Sequence, residues 1–376
     1  MEPLRDIIVI GGGPAGLTSA IHLASSGRRV LVIEKDHYPR DKVCGEYVSN
    51  EVLPYLNYLG IQFEKFDLPQ ITRFQLSTFS GSVIEAELPV GGFGISRYAL
   101  DNLLYERAVD IGVEFSFEEV TDISFTGEQF IINTNSKVHH SKICIGAFGR
   151  SPIEHKRTRK LRTESRWMAI KAHYKCEFPT NTVALHNFRG GYCSISAVEG
   201  NAVNICCVTR TNSFNKRGSF EGFRERILFR NGQLKSILSI AEIISEKQLI
   251  ISDIDFNAKT PIDCHTIMVG DSAGLLHPLC GNGMAMAFHS AKFAAENILL
   301  FLNSKISREE MESRYEIEWN RKFRRSLRNG KILSAIMFRP FISRMVLRGF
   351  SNFPFLLPGI ISSTHGNPIT LEGIDI

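Results

Sequence analysis

Three glycines near the start of the chain, Gly11, Gly13 and Gly16, stand between the apolar run Ile7-Ile8-Val9-Ile10 and a stretch of helical spacing that opens on Pro14 and Ala15. Each meets a separate physical demand. The G-x-G-x-x-G spacing needs one residue free to take φ > 0 in a tight turn, one without a Cβ where backbone approaches a pyrophosphate, and one that lets the helix pack closely on the strand. The helix N-terminus then offers free N–H groups and partial positive charge to phosphate oxygens. Glu34 closes the next apolar run, Val30 to Ile33, with Lys35 beside it. A carboxylate there accepts hydrogen bonds from ribose hydroxyls and disfavours a 2′-phosphate. These residues predict a bound dinucleotide, of a kind that this motif alone leaves open.

Four further segments carry side chains suited to chemistry. Arg40-Asp41-Lys42-Val43-Cys44-Gly45-Glu46 follows Glu34, and Arg97 opens a helical stretch after Gly94-Ile95-Ser96. An apolar strand around Lys142 to Ile145 ends in Gly146-Ala147-Phe148-Gly149. Another, Thr266 to Val269, ends in Gly270-Asp271, and His277-Pro278-Leu279-Cys280-Gly281-Asn282-Gly283-Met284 follows.

The Gly270-Asp271 segment resembles the GD motif of the FAD-dependent aromatic hydroxylases, the p-hydroxybenzoate hydroxylase-like enzymes, and of the geranylgeranyl reductase family. The resemblance implies FAD, with Asp271 on a ribityl hydroxyl and a helix starting near Gly283 aimed at the isoalloxazine. Backbone N–H groups around Asn282 to Ala285 would then stabilise negative charge on reduced flavin. Cys44-Gly45-Glu46 is similar to the segment that the reductases place beside the flavin, and Arg97 matches an arginine near the FAD phosphates. Arg40, Gly45, Gly146, Ala147, Gly149, Pro278 and Gly281 complete the expected cofactor contacts. The matches cover the nucleotide-binding half of the chain. Three departures limit the carry-over. Phe148 stands where the hydroxylases have an Asp used with FAD and NAD(P)H. The W-x-W-x-I-P motif of the halogenases is not reproduced at Trp167. Tyr192-Cys193-Ser194 matches the reductases' Y-x-W-x-F-P strand only in part.

Flavin supplies the redox chemistry, so few catalytic side chains are expected. Cys44 is a candidate proton donor to a substrate carbanion, His277 and Cys280 are candidates in a loop over the flavin, and Tyr192 is a candidate phenol. Each also has a plain reading as packing or loop shape.

The elements that must position these groups read as a strand–helix–strand unit (Asp6 to Ile10, Pro14 to Ser26, Val30 to Ile33), a helix over Asn50 to Leu59, alternation from Phe74 through Leu88, and a helix from Ser96 to Ile111. Short strands follow at Glu114 to Val120, Ile123 to Phe125 and Gln129 to Thr134. Met168 to Phe178, Thr182 to Phe188, Tyr192 to Val198 and Ala202 to Thr209 look antiparallel, with a helical pair between Phe220 and Ile244. The expected fold is α/β: a glutathione-reductase-like Rossmann FAD domain (1–70, 91–160, 256–300), an antiparallel-sheet substrate domain (71–90, 161–255) and a C-terminal helical arm (301–376).

With 43% hydrophobic and 22% charged residues over 376, the chain is an ordinary globular one. A net charge of +5 without a nucleic-acid motif argues against a nucleic-acid partner. Eight cysteines without CxxC or Cys/His ligand spacing predict no zinc site, and Cys144, Cys206 and Cys207 read as buried small hydrophobes. With no charged-then-apolar leader after Met1, the expected location is cytoplasmic. After Ser307 the arm reads as a helix whose first half is acid-balanced by Glu309 to Glu318 and whose second half, Arg321 to Lys331, is basic, and an apolar stretch follows. The arm either lies against anionic lipid at the inner face of the membrane or covers the substrate domain with its charges in water. Taken together, the expectation is an FAD-dependent oxidoreductase of undetermined oligomeric state, with NAD(P)H as external donor and a hydrophobic small-molecule substrate. Its first reading is hydroxylation of a phenolic, polyketide-derived or prenyl compound. The second is reduction of prenyl C=C bonds, and the third is a non-catalytic FAD-binding scaffold.

Overall fold

The computed structural model describes residues 5–149, 167–215, 219–252, 254, 259–275, 282–337, 345 and 368–371. The chain opens with β1 (Arg5–Ile10), α1 (Pro14–Ser25) and β2 (Val30–Glu34), the unit expected around the glycine turn. Next come β3 (Tyr47–Ser49), a 3₁₀ turn, α2 (Leu53–Tyr58), β4 (Gln70–Ser77), β5 (Val83–Gly94), α3 (Arg97–Asp110), β6 (Glu114–Phe117), β7 (Val120–Thr126), β8 (Gln129–Thr134) and β9 (Val138–Gly146). The middle of the chain forms β10 (Trp167–Lys175), β11 (Thr182–Phe188), β12 (Gly191–Val198), β13 (Ala202–Arg210), α4 (Thr211–Asn215), α5 (Phe220–Arg226), α6 (Gly232–Leu238), β14 (Glu242–Ile243) and β15 (Leu249–Ile251). It ends with β16 (Ile262–Asp263), β17 (Thr266–Met268), α7 (Gly283–Leu302) and α8 (Arg308–Met337).

The first sheet runs β16-β17-β9-β1-β2-β6, with β17, β9, β1, β2 and β6 parallel and the β7–β8 hairpin joined to β9. The central runs, residues 7–10 of β1 and 30–33 of β2, are apolar and buried because both faces are covered. Ile7, Val9 and Val32 pack with Leu17, Ile21, Leu100, Leu104, Phe288 and Ile298 from α1, α3 and α7. The alternate residues Ile8, Ile10, Leu31 and Ile33 meet Ile123, Phe130 and Ile132 of the hairpin. Helices, parallel sheet and β-hairpin make the three layers of a glutathione-reductase-like Rossmann domain.

The second sheet runs β14-β10-β13-β12-β11-β4-β5-β3, antiparallel except for β4 with β11. One face is closed by α5 and α6, where Phe223, Leu228, Leu234 and Leu238 cover Ala184, Cys193, Ile195, Ile205 and Cys207. On the other face three aligned rows cross β12, β13 and β10: Tyr192–Val208–Ala169, Ser194–Cys206–Lys171 and Ser196–Asn204–His173. That face turns from apolar to polar within two rows.

Several boundaries differ from the expected ones. The alternation around Phe74 to Leu88 is two strands, since Gly81 at φ +95° turns the chain between them. The helical pair ends at Leu238, because Ile243 pairs with Tyr174 at the edge of β10. In α8, Met311, Tyr315, Trp319 and Phe323 recur every four residues and pack into the core beside α7, so the first half of this helix covers the Rossmann domain. Arg321, Arg324, Arg325, Arg328 and Lys331 remain exposed. No helix among the described residues is long and apolar enough to cross a membrane.

Candidate functional site

The three fingerprint glycines divide their work as the spacing predicts. Gly11 sits at φ +102°, donates its N–H to Ile33 O at 2.8 Å, and a Cβ there would lie 2.4 Å from the Ala147 carbonyl oxygen. A Cβ on Gly16 would lie 2.0 Å from Gly11 O. At Gly13 a Cβ would meet nothing nearer than Arg97 Nη2, at 3.8 Å. The first and third glycines are therefore demanded by the chain itself, while the second borders space that the chain leaves open. Helix α1 starts there with no side-chain cap and no acid in its first turn, so its N-terminal N–H groups and dipole face that space.

The Gly270-Asp271 turn is seated against the same helix end. Gly270 takes φ +57°, and a Cβ on it would come 2.9 Å from Ala15 Cβ. Its N–H donates to Ser290 Oγ at 2.9 Å. The Gly146–Gly149 loop lies between the two turns: Ala147 N–H donates to Ile10 O at 2.7 Å and Gly149 N–H to Ser272 Oγ at 2.7 Å. Lys259 Nζ donates to Asp271 O at 2.7 Å and to Gly149 O at 3.1 Å, tying the loops together. Phe148 packs at their junction, against the cores on both sides of the sheet.

At the far end of the turn, the buried Glu34 accepts from Gly12 N–H at 2.7 Å and Asp36 N–H at 3.1 Å, and pairs with Arg40 at 2.9 Å. These contacts use about three of a carboxylate's roughly four acceptor positions. The remaining position would suit a ribose hydroxyl. Arg40 also lies 4.6 Å over the Tyr38 ring, which stacks on Tyr105 at 4.4 Å and donates its hydroxyl to Gly12 O at 2.5 Å. Lys35 is exposed.

Arg97 reaches the open side of Gly13 from the start of α3. Its guanidinium grips the fully buried Asp101 with two bonds of 2.7 Å. Burial works against its charge, but Asp101 outweighs it and holds Arg97 firmly protonated. Beside it runs Cys44-Gly45-Glu46. Burial pushes the Cys44 thiol up in pKa, against the pull of Arg97, so the sulfur stays a protonated thiol at neutral pH. Glu46 is fully buried at φ +57°, a conformation that costs a non-glycine residue about 1–2 kcal/mol. Its carboxylate accepts from Arg97 N–H at 2.8 Å, Lys171 Nζ at 2.7 Å and His173 Nε2 at 2.6 Å. The two polar rows of the second sheet hold the rest of the segment. Ser196 Oγ donates to Gly45 O at 2.9 Å and Asn204 Nδ2 to Cys44 O at 3.1 Å.

Helix α7 starts nearby at Gly283, where a Cβ would meet none of the described residues within 4 Å, with no side-chain cap among them and no acid in the first turn. Met284 is buried, and Asn282 Nδ2 donates to the buried Glu51 at 3.3 Å, as does His289 Nε2 at 3.1 Å. Tyr192 lies among Leu76, Ala169, Leu185 and Val208, an apolar cluster that also touches Val43 and Leu275, neighbours of Cys44 and of the Gly270-Asp271 turn. Cys144, Cys206 and Cys207 are buried. His277, Pro278, Cys280 and Gly281 lie outside the described residues.

Among the described residues, space at Gly13 and Gly283, two helix N-termini without side-chain caps, a fixed cation at Arg97 and an acceptor at Glu34 suit a dinucleotide whose phosphates meet α1 and whose redox ring meets α7. The residues present fit FAD. Sequence reading missed Asp101, Lys171, His173, Tyr38 and Glu51. Asp101 was within reach as the i+4 acid on Arg97's own helix. Lys171 and His173 were visible as polar residues two apart on one face of an apolar strand. Only the fold shows that this face meets Glu46.

Residues 6–42 match the family of FAD dependent oxidoreductases. Over 88% of its length the chain is 25% identical to the digeranylgeranylglycerophospholipid reductase of Methanococcus vannielii, covering 85% of that protein. Its fold is similar to that of the flavin-dependent brominase Bmp2 (TM-score 0.78, 20% identity, 99% of this chain and 96% of that one). It is also similar to that of PqsL of Pseudomonas aeruginosa, described as a probable FAD-dependent monooxygenase (TM-score 0.74, 16% identity, 92% of this chain and 100% of that one). The phosphate turn thus matches that of FAD dependent oxidoreductases, and the fold is that of flavin-dependent enzymes.

Proposed function

We propose that the protein is a single-component monooxygenase that hydroxylates a hydrophobic phenolic, polyketide-derived or prenyl compound. The observation that carries this reading is the apolar cluster of Leu76, Ile84, Ala169, Leu185, Tyr192, Val208 and Ile254, which adjoins both Val43 and Leu275. Bound FAD, reduced by an external donor such as NAD(P)H, would supply the electrons that turn O₂ into one oxygen atom for the substrate and one water. The chain's own part is to hold an apolar substrate and exclude water, since water beside the reduced ring diverts the oxygen chemistry. Arg97 and the N-terminus of α1 would bind the pyrophosphate, and the N-terminus of α7 would favour negative charge on the reduced ring. The exposed basic face of α8 would suit anionic lipid, from which such a substrate partitions.

One feature favours a second reading, reduction of prenyl C=C bonds. Cys44 is kept protonated beside the flavin-binding segment, as a proton donor to a carbanion must be. Oxygen separates the two. With a phenolic lipid and a reduced donor, a hydroxylase consumes O₂ in step with product. Full turnover under anaerobic conditions sinks the hydroxylase reading and leaves the reductase.

A further inference from the structure

We propose that Lys171 is a positioning residue that spans the two sheets and holds the flavin side of the site together through Glu46. Lys171 is 1% exposed, projecting from the middle of β10 in the second sheet, yet its ammonium sits 2.7 Å from Glu46 Oε1 and 3.0 Å from Asp41 Oδ1, both on the segment that follows β2. Burial pulls its pKa down, but the two carboxylates outweigh that and raise it above the ordinary lysine value. Asp41, Glu46 and His173 bring three potential metal-ligand atoms within 4.8 Å of one another. Two of the three, Asp41 and Glu46, already pair with this ammonium.

Glu46 is the hub. Its left-handed backbone persists only because its surroundings over-determine it, and those surroundings are Lys171, His173 and the Arg97 N–H. The Glu46 carbonyl also accepts from Ile95 N–H at 3.1 Å, and its N–H contacts Cys44 Sγ at 3.5 Å. One buried charge on the substrate sheet therefore fixes both the thiol of Cys44 and the entry into the helix that carries Arg97. The FAD pocket is complete only when the second sheet is docked with Lys171 in place. Removing the ammonium leaves a buried carboxylate without its counter-charge, whereas removing both charges together leaves only Asp41, which is exposed to water, without its partner.

The inference rests on the FAD reading but not on the reaction, so it is tested on the FAD-loaded protein without substrate. The dissociation constant of FAD is measured by flavin fluorescence, and alkylation of each cysteine by iodoacetamide is followed by peptide mass. Lys171→Met should weaken FAD binding at least tenfold and speed alkylation of Cys44 at least tenfold, while Cys144 and Cys206 stay protected. The double variant Glu46→Gln/Lys171→Met should recover most of both. A general loss of structure would expose Cys144 and Cys206 as well and would not be rescued. Wild-type FAD affinity and Cys44 reactivity in Lys171→Met, or a double variant no better than the single, overturns the assignment. If Lys171→Met does not fold, Glu46→Gln decides: it keeps the volume and must raise both readouts, and wild-type values there overturn it. A wild-type protein that binds no FAD would instead sink the FAD reading itself.

Discussion

Substituting Gly13 by alanine separates what the fold needs from what the cofactor needs. The added Cβ meets only Arg97 Nη2, at 3.8 Å, and the backbone at φ −85° is one that alanine adopts freely. The apoprotein should keep its stability to within about 0.5 kcal/mol. In the bound state the same methyl group would push a pyrophosphate off the N-terminus of α1. Charge-assisted hydrogen bonds are worth about 1.5–3 kcal/mol each, so losing one weakens FAD binding about ten- to hundredfold. The control is Gly16→Ala, whose Cβ would lie 2.0 Å from a backbone oxygen and must disturb the packing of α1 on β1. It should cost about 1–3 kcal/mol of stability even without cofactor. Denaturant midpoints of the apoproteins and fluorescence titration with FAD give both numbers. A Gly13→Ala protein that binds FAD as tightly as wild type would show that no phosphate approaches there, and the placement of the cofactor on α1 would be wrong.

Two further outcomes follow from buried ionisable groups. His22 and His186 are driven down to a pKa of about 4 by burial, with Lys292 adding to the effect at His22. Their folded values lie below the ordinary 6.5, so the unfolded chain binds more protons between pH 6.5 and 4. Stability is full above about pH 6.5 and falls as the pH drops toward 4, by about 3 kcal/mol for each ring. Unfolding midpoints across that window should fall steeply, and a His22→Gln/His186→Gln protein with an undiminished slope would contradict the assignment. Asp101→Asn removes the carboxylate that Arg97 grips and leaves a largely buried guanidinium without its counter-charge, at a cost of about 3 kcal/mol. FAD affinity should drop with it, because the cation is no longer held toward Gly13. An unchanged denaturant midpoint would count against the pair as a structural clamp.

The phosphate turn was legible from the sequence because its constraints are local: positive φ at Gly11 and the close approach of Gly16 are set within a few residues. The layer order of the Rossmann domain was legible for a similar reason, since continuous apolar strands announce two covered faces. Glu46 could be read only as part of a flavin-adjacent segment, because its partners, Lys171 and His173, lie more than a hundred residues away in sequence. Strand alternation put those two on one face without saying which face meets the first sheet. The packing of the two sheets made that choice. It also turned the first half of α8, read from its charges as an arm over lipid or the substrate domain, into a cover for the Rossmann core, because the four-residue stripe Met311, Tyr315, Trp319 and Phe323 found its partner in α7. The sequence by itself determined which cofactor chemistry the turns can hold. Only the tertiary structure decided which distant side chains complete the pocket, since buried charges are stable only where the fold brings their partners within hydrogen-bond reach.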